Sequence, residues 1–379
     1  MNNSDNFKHN FHLTDGSYLL NHSVGRPLKS TQQVINDDFL APWQQTNKEP
    51  WQQWLQTIDK FTHGLANLFN SKAELFCPQS NLSSALTKLL MSLPQLNTSN
   101  KGIKKAKILM SEIDFPSMGF VAQNALNNHV EIVYLPQELS VTEINHWQKY
   151  LTKEIDLVFI SHVYSNTGQQ APLKQLVELA KQNSTLSVVD VAQSAGILPL
   201  DLTDLAPDFM IGSSVKWLCG SSGAAYLWLN EQHIETCQPK DVGWFSHQNP
   251  FEFNIHHFDY HKSALRFWGG TPTILPYTVA ANSIKYFADK VELVRKHNVK
   301  LQNHIIEQLP EFIASPFDVR QRSGTVILNL VDNQKAIAAL TKNNIAVDLR
   351  ECGIRVSPHI YNDENDIERL AEVVRKHVS

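Results

Sequence analysis

Cysteine is scarce in this chain. Cys77, Cys219, Cys237 and Cys352 are the only four thiols in 379 residues, they lie far apart, and none forms a C-x-x-C pair. Such spacing signals neither a zinc site nor a disulfide framework, and no metal is expected. An excess of basic charge is also missing. Lys+Arg 33 against Asp+Glu 37 gives a net charge of −4, which argues against a general nucleic-acid binder with its basic stripe. No apolar run is long enough to span a bilayer, so no membrane partner is expected. The stretch from Met1 to His12 is polar and lacks the apolar centre of a secretion signal, so a cytoplasmic enzyme is the expectation. Neither an internal repeat nor a low-complexity segment occurs. What remains is ordinary for a globular enzyme: 42% apolar and 18% charged residues. The length exceeds what one compact core holds and suits two domains.

Strand-like and helix-like stretches alternate through the middle of the chain. The apolar runs are Ala106 to Met110, Val130 to Leu135, Leu157 to Ser161, Leu186 to Asp190, Phe209 to Gly212 and Ala225 to Leu229. Between them lie helical patterns such as Leu173 to Gln182, with apolar positions at Leu173, Leu176, Val177, Leu179 and Ala180. This alternation predicts an α/β fold with a mostly parallel sheet covered on both faces. Ligands in such sheets bind beyond the carboxyl ends of the strands. The pattern changes near Thr271-Pro272. A helical stretch from about Leu275 to Gln308 is followed by a strand at Thr325 to Leu330, a helix at Gln334 to Thr341, a strand at Ile354 to Val356 and a helix at Glu364 to His377. Three units are expected: an N-terminal segment over 1–30 packing near the active site, a large domain over 31–270, and a smaller α+β domain over 271–379.

Two polar strand ends carry the candidate chemistry. Ser187-Val188-Val189-Asp190 and Phe209-Met210-Ile211-Gly212-Ser213-Ser214-Val215-Lys216 each begin apolar and end polar, which puts Asp190 and Lys216 on one edge of the sheet, 216 − 190 = 26 residues apart. A lysine amine forms a Schiff base with a cofactor aldehyde, and a carboxylate keeps a pyridine nitrogen protonated so that the ring accepts carbanion electrons. Taken singly, the aspartate reads as a helix cap and the lysine as a solvated side chain. The surrounding Gln193, Gly196, Gly220 and Gly223 favour the cofactor reading.

The wider motif set carries a family resemblance. It includes Ser161-His162-Val163, Thr167-Gly168, Asp190-Val191-Ala192-Gln193-Ser194-Ala195-Gly196, Lys216-Trp217-Leu218-Cys219-Gly220, Val242-Gly243-Trp244-Phe245, Arg266-Phe267-Trp268-Gly269-Gly270-Thr271-Pro272 and Ile354-Arg355-Val356-Ser357-Pro358 with Tyr361-Asn362. From about Tyr18 onward the chain resembles kynureninases and cysteine desulfurases, both in the class V aminotransferase superfamily of pyridoxal 5′-phosphate (PLP) enzymes. The resemblance implies PLP-dependent transferase fold type I and a homodimer acting on a small-molecule amino acid. Lys216 resembles the lysine that carries PLP, and Asp190 the partner of the ring nitrogen. Gln193 resembles the glutamine near the phenolic oxygen, and Phe115 the aromatic that stacks on the ring. Leu82 and Ser83 resemble the phosphate cup at a helix start, where backbone N–H groups bind an anion, and Ser213 adds a hydroxyl there. Thr271 resembles the residue that reaches the phosphate from a neighbouring subunit. Trp244 matches a substrate-pocket aromatic and Arg355 the clamp for the substrate α-carboxylate, with an internal pairing to Glu351 as the alternative. Leu20-Asn21-His22-Ser23-Val24-Gly25 resembles an entry motif of the isopenicillin N epimerase-like branch, which makes His22 and Ser23 substrate-side candidates.

The departures bear on the reaction. Kynureninases carry an aspartate where this chain has Met118. Where kynureninases have tyrosine and desulfurases histidine just before the lysine, this chain has Val215. Desulfurases place a nucleophilic cysteine on a flexible loop, but Arg350-Glu351-Cys352-Gly353 leaves no long loop, and a reactive thiol needs exposure and an electropositive setting. The expectation is therefore kynureninase-like or C–S β-cleavage of an amino acid. Transamination, epimerisation, desulfuration and a non-catalytic PLP-fold binding protein stand as alternatives.

Overall fold

The computed structural model describes residues 7–45, 47–96, 105–126 and 130–378. Seven strands form one sheet: β1 (Phe76–Gln79), β2 (Ala106–Ser111), β3 (Val130–Leu135), β4 (Leu157–Ser161), β5 (Leu186–Asp190), β6 (Phe209–Ser213) and β7 (Ala225–Leu229). Their order is β1-β7-β6-β5-β4-β2-β3. Neighbours from β6 to β3 are parallel, whereas β7 runs antiparallel to both β6 and β1. The carboxyl ends of β1, β2, β4, β5 and β6 therefore share one edge. Along that edge Ser161 pairs with Asp190, and Asp190 with Ile211.

The central strands β4, β5, β6 and β7 are largely apolar because both of their faces are covered. Successive side chains point to opposite faces. Val158, Ile160, Val189 and Met210 enter one core cluster, while Leu157, Phe159, Val188, Phe209 and Ile211 enter a second. Six helices matter for the site and the scaffold: α1 (Trp51–Phe69), α2 (Leu82–Ser92), α3 (Pro116–Asn124), α4 (Leu173–Gln182), α5 (Leu275–Phe287) and α6 (Val291–Gln308). The single helical stretch expected from Leu275 to Gln308 is thus two helices, separated at Ala288 to Lys290. Helix α5 packs on α1, and its buried Tyr277, Ala280, Ile284 and Phe287 belong to the core on the α1 side of the sheet.

A second, three-stranded antiparallel sheet has the order β9-β10-β8, formed by β8 (Val326–Leu328), β9 (Asp348–Arg350) and β10 (Gly353–Val356). With α7 (Asn333–Lys342) and α8 (Glu364–Val378) it surrounds a third cluster that includes Leu301, Ile305, Leu328, Leu340, Ile354 and Leu370. The N-terminal segment ties the two sheets together. Phe11 and Leu28 enter the first cluster, Leu19 enters the third, and Ser17 and Tyr18 pair with Ile345 and Ala346. Among the described residues no helix is long and apolar enough to cross a membrane.

Candidate active site

The loops leaving the carboxyl edge of the large sheet enclose a cavity of about 370 Å³, within the range of small-molecule sites. Leu82, Ser83, Phe115, Asp190, Gln193, Ser213 and Lys216 all line it. They arrive from four strand ends, those of β1, β2, β5 and β6, which is why residues far apart in the chain meet there. Strand β1 delivers Ser80 to Ser83. There Asn81 caps α2 through its Oδ1, which accepts the Ser84 N–H at 2.8 Å. Strand β2 leads through Asp114 to Phe115, which precedes Pro116 at the start of α3. The Phe115 ring is not core: it is 53% exposed and lies on the cavity.

Strand β5 ends in Asp190, whose Oδ1 accepts the Ala192 N–H at 2.7 Å. Burial raises its pKa, offset by that N–H and by the nearby Lys216. Lys216 follows β6. Burial lowers its pKa, Asp190 works in the opposite sense, and the charge of Arg355 lowers it further. Desolvation thus favours the neutral, nucleophilic amine. The N-terminal segment wraps the Lys216 backbone: Gly25 N–H donates to Val215 O at 2.8 Å, and Asn21 Nδ2 donates to Lys216 O at 3.4 Å. A Cβ on Gly25 would stand 2.3 Å from Lys216 O, so only glycine fits this approach.

Gln193 lines the cavity and donates through Nε2 to the His22 carbonyl at 3.1 Å. The other sequence candidates lie off the cavity wall. Ser23 and Thr271 are exposed, and Trp244 packs edge-on against Trp51 and Phe251. His22 and Arg355 are buried in a network behind the cavity.

That network corrects one expectation. Arg355 has an internal partner, but it is Asp348, not Glu351. The hairpin of β9 and β10 places Asp348 directly opposite Arg355, whereas Glu351 sits exposed at the turn. Arg355 Nε and Nη2 donate to Asp348 Oδ1 and Oδ2 at 2.8 and 2.5 Å, and Nη1 donates to Ser165 O at 3.0 Å. His22 Nε2 lies 2.9 Å from the same Asp348 Oδ1, and its Nδ1 lies 2.7 Å from Ser357 Oγ. Burial tends to raise the Asp348 pKa, but His22 and Arg355 outweigh it and hold the carboxyl well below its usual range. The sequence signal for Asp348 was the short hairpin turn ending at Gly353, which fixes the 348–355 register.

Asp114 was also passed over. Its Oδ2 accepts the Ser111 N–H at 2.8 Å, its Oδ1 is buried, and the Ser161 side chain lies close enough to lower its pKa. Burial, reinforced by the Asp190 charge, pushes it up to about 7. Cys352 lies exposed on the turn between β9 and β10, its thiol pushed up by burial of the sulfur and by Glu351.

An amine and a carboxylate at neighbouring strand ends, a hydroxyl-rich helix start and an exposed aromatic on one cavity are the donor set that a pyridine aldehyde phosphate needs. These features define a fold type I PLP enzyme. The Aminotransferase class-V family model matches residues 91–370, and the chain belongs to that family. It is similar to a kynureninase of Shouchella clausii, at 25% identity over 97% of this chain and 90% of that protein. Among solved structures it resembles the cysteine desulfurase of Thermococcus onnurineus NA1, with a TM-score of 0.84 and 20% identity over 96% of this chain and 95% of the other. It also resembles a C-DES variant with glycine covalently linked to its PLP cofactor, with a TM-score of 0.85 and 18% identity over 97% and 98% of the two chains. The cofactor of this enzyme is pyridoxal 5′-phosphate.

Proposed function

We propose that the enzyme acts at Cα of a free amino acid and breaks a bond at Cβ. The observation that carries the reading is the convergence of Lys216 and Asp190 on one cavity, from the ends of adjacent strands. Lys216, largely desolvated, would hold the cofactor through Nζ, and its free amine would take the proton from the substrate Cα. Asp190 would keep the ring nitrogen protonated. Leu82 and Ser83 at the α2 start and the Ser213 hydroxyl would hold the phosphate, joined by Thr271 from a second copy in a homodimer. Phe115 would stack on the ring and Gln193 would serve the phenolic oxygen. The bound cofactor supplies an electron sink for the carbanion at Cα. Trp244, His22, Ser23 and Arg355, which lie off the cavity wall of the single chain, are assigned to the substrate side by this reading.

Two features support β-cleavage over desulfuration. The relative named above is a kynureninase, and Cys352 has neither a mobile loop nor a lowered pKa with which to accept sulfur. The cavity wall also carries Met118, buried in the apolar core, where kynureninases have an aspartate. This departure from the kynureninase pattern favours a substrate other than kynurenine. The test is a panel of amino acids titrated into the purified yellow protein, with bleaching of the cofactor band and the released product measured together. Borohydride reduction and peptide mapping should place the cofactor on Lys216. A label on any other lysine, or keto-acid release with stoichiometric amination of the cofactor, would refute this assignment.

A further inference from the structure

The Arg355 network carries an inference that rests on the amino-acid reading and deepens it. A guanidinium has five N–H donors, and three are spent: two on Asp348 and one on the Ser165 carbonyl. The fork that would grip a substrate carboxylate side-on is therefore already filled. Solvent reaches the pair through Asp348, whose side chain is 23% exposed against 6% for Arg355 and 1% for His22. The network borders the cavity at two points. Ser165 lines it, and the His22 carbonyl holds Gln193, which also lines it.

His22 fixes Asp348 in this place. His22 Nε2 faces the Asp348 carboxylate, which can only accept, so that nitrogen carries a proton, while Nδ1 faces Ser357 Oγ. Ser357 Oγ in turn lies 2.7 Å from Thr325 Oγ1. Thr325, Ser357, His22 and Asp348 thus form one continuous chain of hydrogen bonds that meets Arg355 from the other side. Within the buried pair one positive and one negative charge offset each other, while the more exposed Arg350 brings its Nη2 to 3.4 Å from Asp348 Oδ2 on the solvent side.

We propose that Asp348 sets the selectivity of the site for carboxylate ligands: it occupies the Arg355 fork as an internal carboxylate. An incoming amino acid docks its own carboxylate only on the Arg355 donors that remain, beside the carboxylate already in the fork. The enzyme should thus discriminate weakly between an amino acid and its carboxamide, and the discrimination should be restored by removing the Asp348 charge.

The experiment titrates the cofactor absorbance of the holoenzyme with L-alanine and with L-alaninamide and takes the ratio of the two dissociation constants. Asp348→Asn keeps the shape and removes the charge, so the ratio should move towards L-alanine by about 10-fold to 100-fold, the scale of one uncovered charge-assisted contact. Asp348→Glu, which keeps the charge, should return the ratio to within about threefold of wild type, well under one decade. His22→Gln should shift it in the same direction as Asp348→Asn but by less, and this variant carries the test if Asp348→Asn does not fold. A ratio that stays put, or moves towards the amide, overturns the proposal while leaving the amino-acid reading intact. If neither ligand perturbs the cofactor band in any variant, the amino-acid reading fails, and this inference with it.

Discussion

Replacing Arg355 with alanine should destabilise the fold as well as weaken ligand binding, and the size of the effect follows from the contacts it removes. The substitution deletes the two-point contact to Asp348 and the bond to the Ser165 carbonyl. It leaves the Asp348 carboxylate with His22 and the neighbouring Arg350 at 3.4 Å. Breaking a fully buried pair costs about 3–5 kcal/mol, and an exposed pair about 0–1 kcal/mol. Asp348 is part-exposed and keeps two cationic or donor neighbours, so a loss of about 2–3 kcal/mol is expected by interpolation. A double-mutant cycle with Asp348→Asn isolates the pair, with a coupling of about 1.5–2.5 kcal/mol. Urea unfolding of the cofactor-loaded variants, followed by fluorescence and circular dichroism, measures it. The pH dependence provides an independent check. Because the folded-state pKa of Asp348 is depressed, its contribution is fully present above the unfolded-state value of about 3.9 and is lost as pH falls through the lower folded value. The coupling should therefore be flat from about pH 5 to 8 and shrink only in stronger acid. A coupling below about 0.5 kcal/mol at neutral pH would refute the buried-pair argument.

Other outcomes follow from the same geometry. Asp190→Asn should retain cofactor while slowing exchange of the substrate α-proton into deuterium by about two orders of magnitude or more, since an amide cannot hold the ring nitrogen protonated; wild-type exchange would remove Asp190 from this role. Cys352→Ser should leave turnover within about twofold of wild type, a change of well under 1 kcal/mol, and a dead variant would move the protein to the desulfurase branch. Gly25→Ala should cost about 1–3 kcal/mol through overpacking against Lys216 O and Cys219 Sγ, with weakened cofactor retention on gel filtration as the readout; a variant as stable and as yellow as wild type would contradict the close approach. Light scattering should give a dimer for the holoenzyme, and a monomer at working concentration would remove Thr271 from the phosphate site.

Much of this was legible in one dimension. A strand buried on both faces is largely apolar, so the runs read at 106–110, 130–135, 157–161, 186–190, 209–212 and 225–229 each fall on a strand. Their polar ends marked the sheet edge where Asp190 and Lys216 meet. Strand β1 was not legible. Its Phe-Cys-Pro-Gln carries a proline, which argues against a strand except at an edge, and β1 is one of the two edge strands of the sheet. The helical pattern from 275 to 308 did not reveal its break at 288–290, because apolar periodicity runs on across a short interruption.

What the sequence determined by itself is the local chemistry: which strands are buried, where polar residues end them, and which amine and carboxylate face one cavity. Tertiary structure alone decided the partners of long-range charges. Arg355 stood in an apolar run that demanded an anion, and no spacing rule could choose among the acidic residues nearby. Hairpin register chose Asp348, and the N-terminal segment brought His22 to the same oxygen from 326 positions away. Burial makes an unpaired charge costly, but only the folded chain determines which group pairs with it.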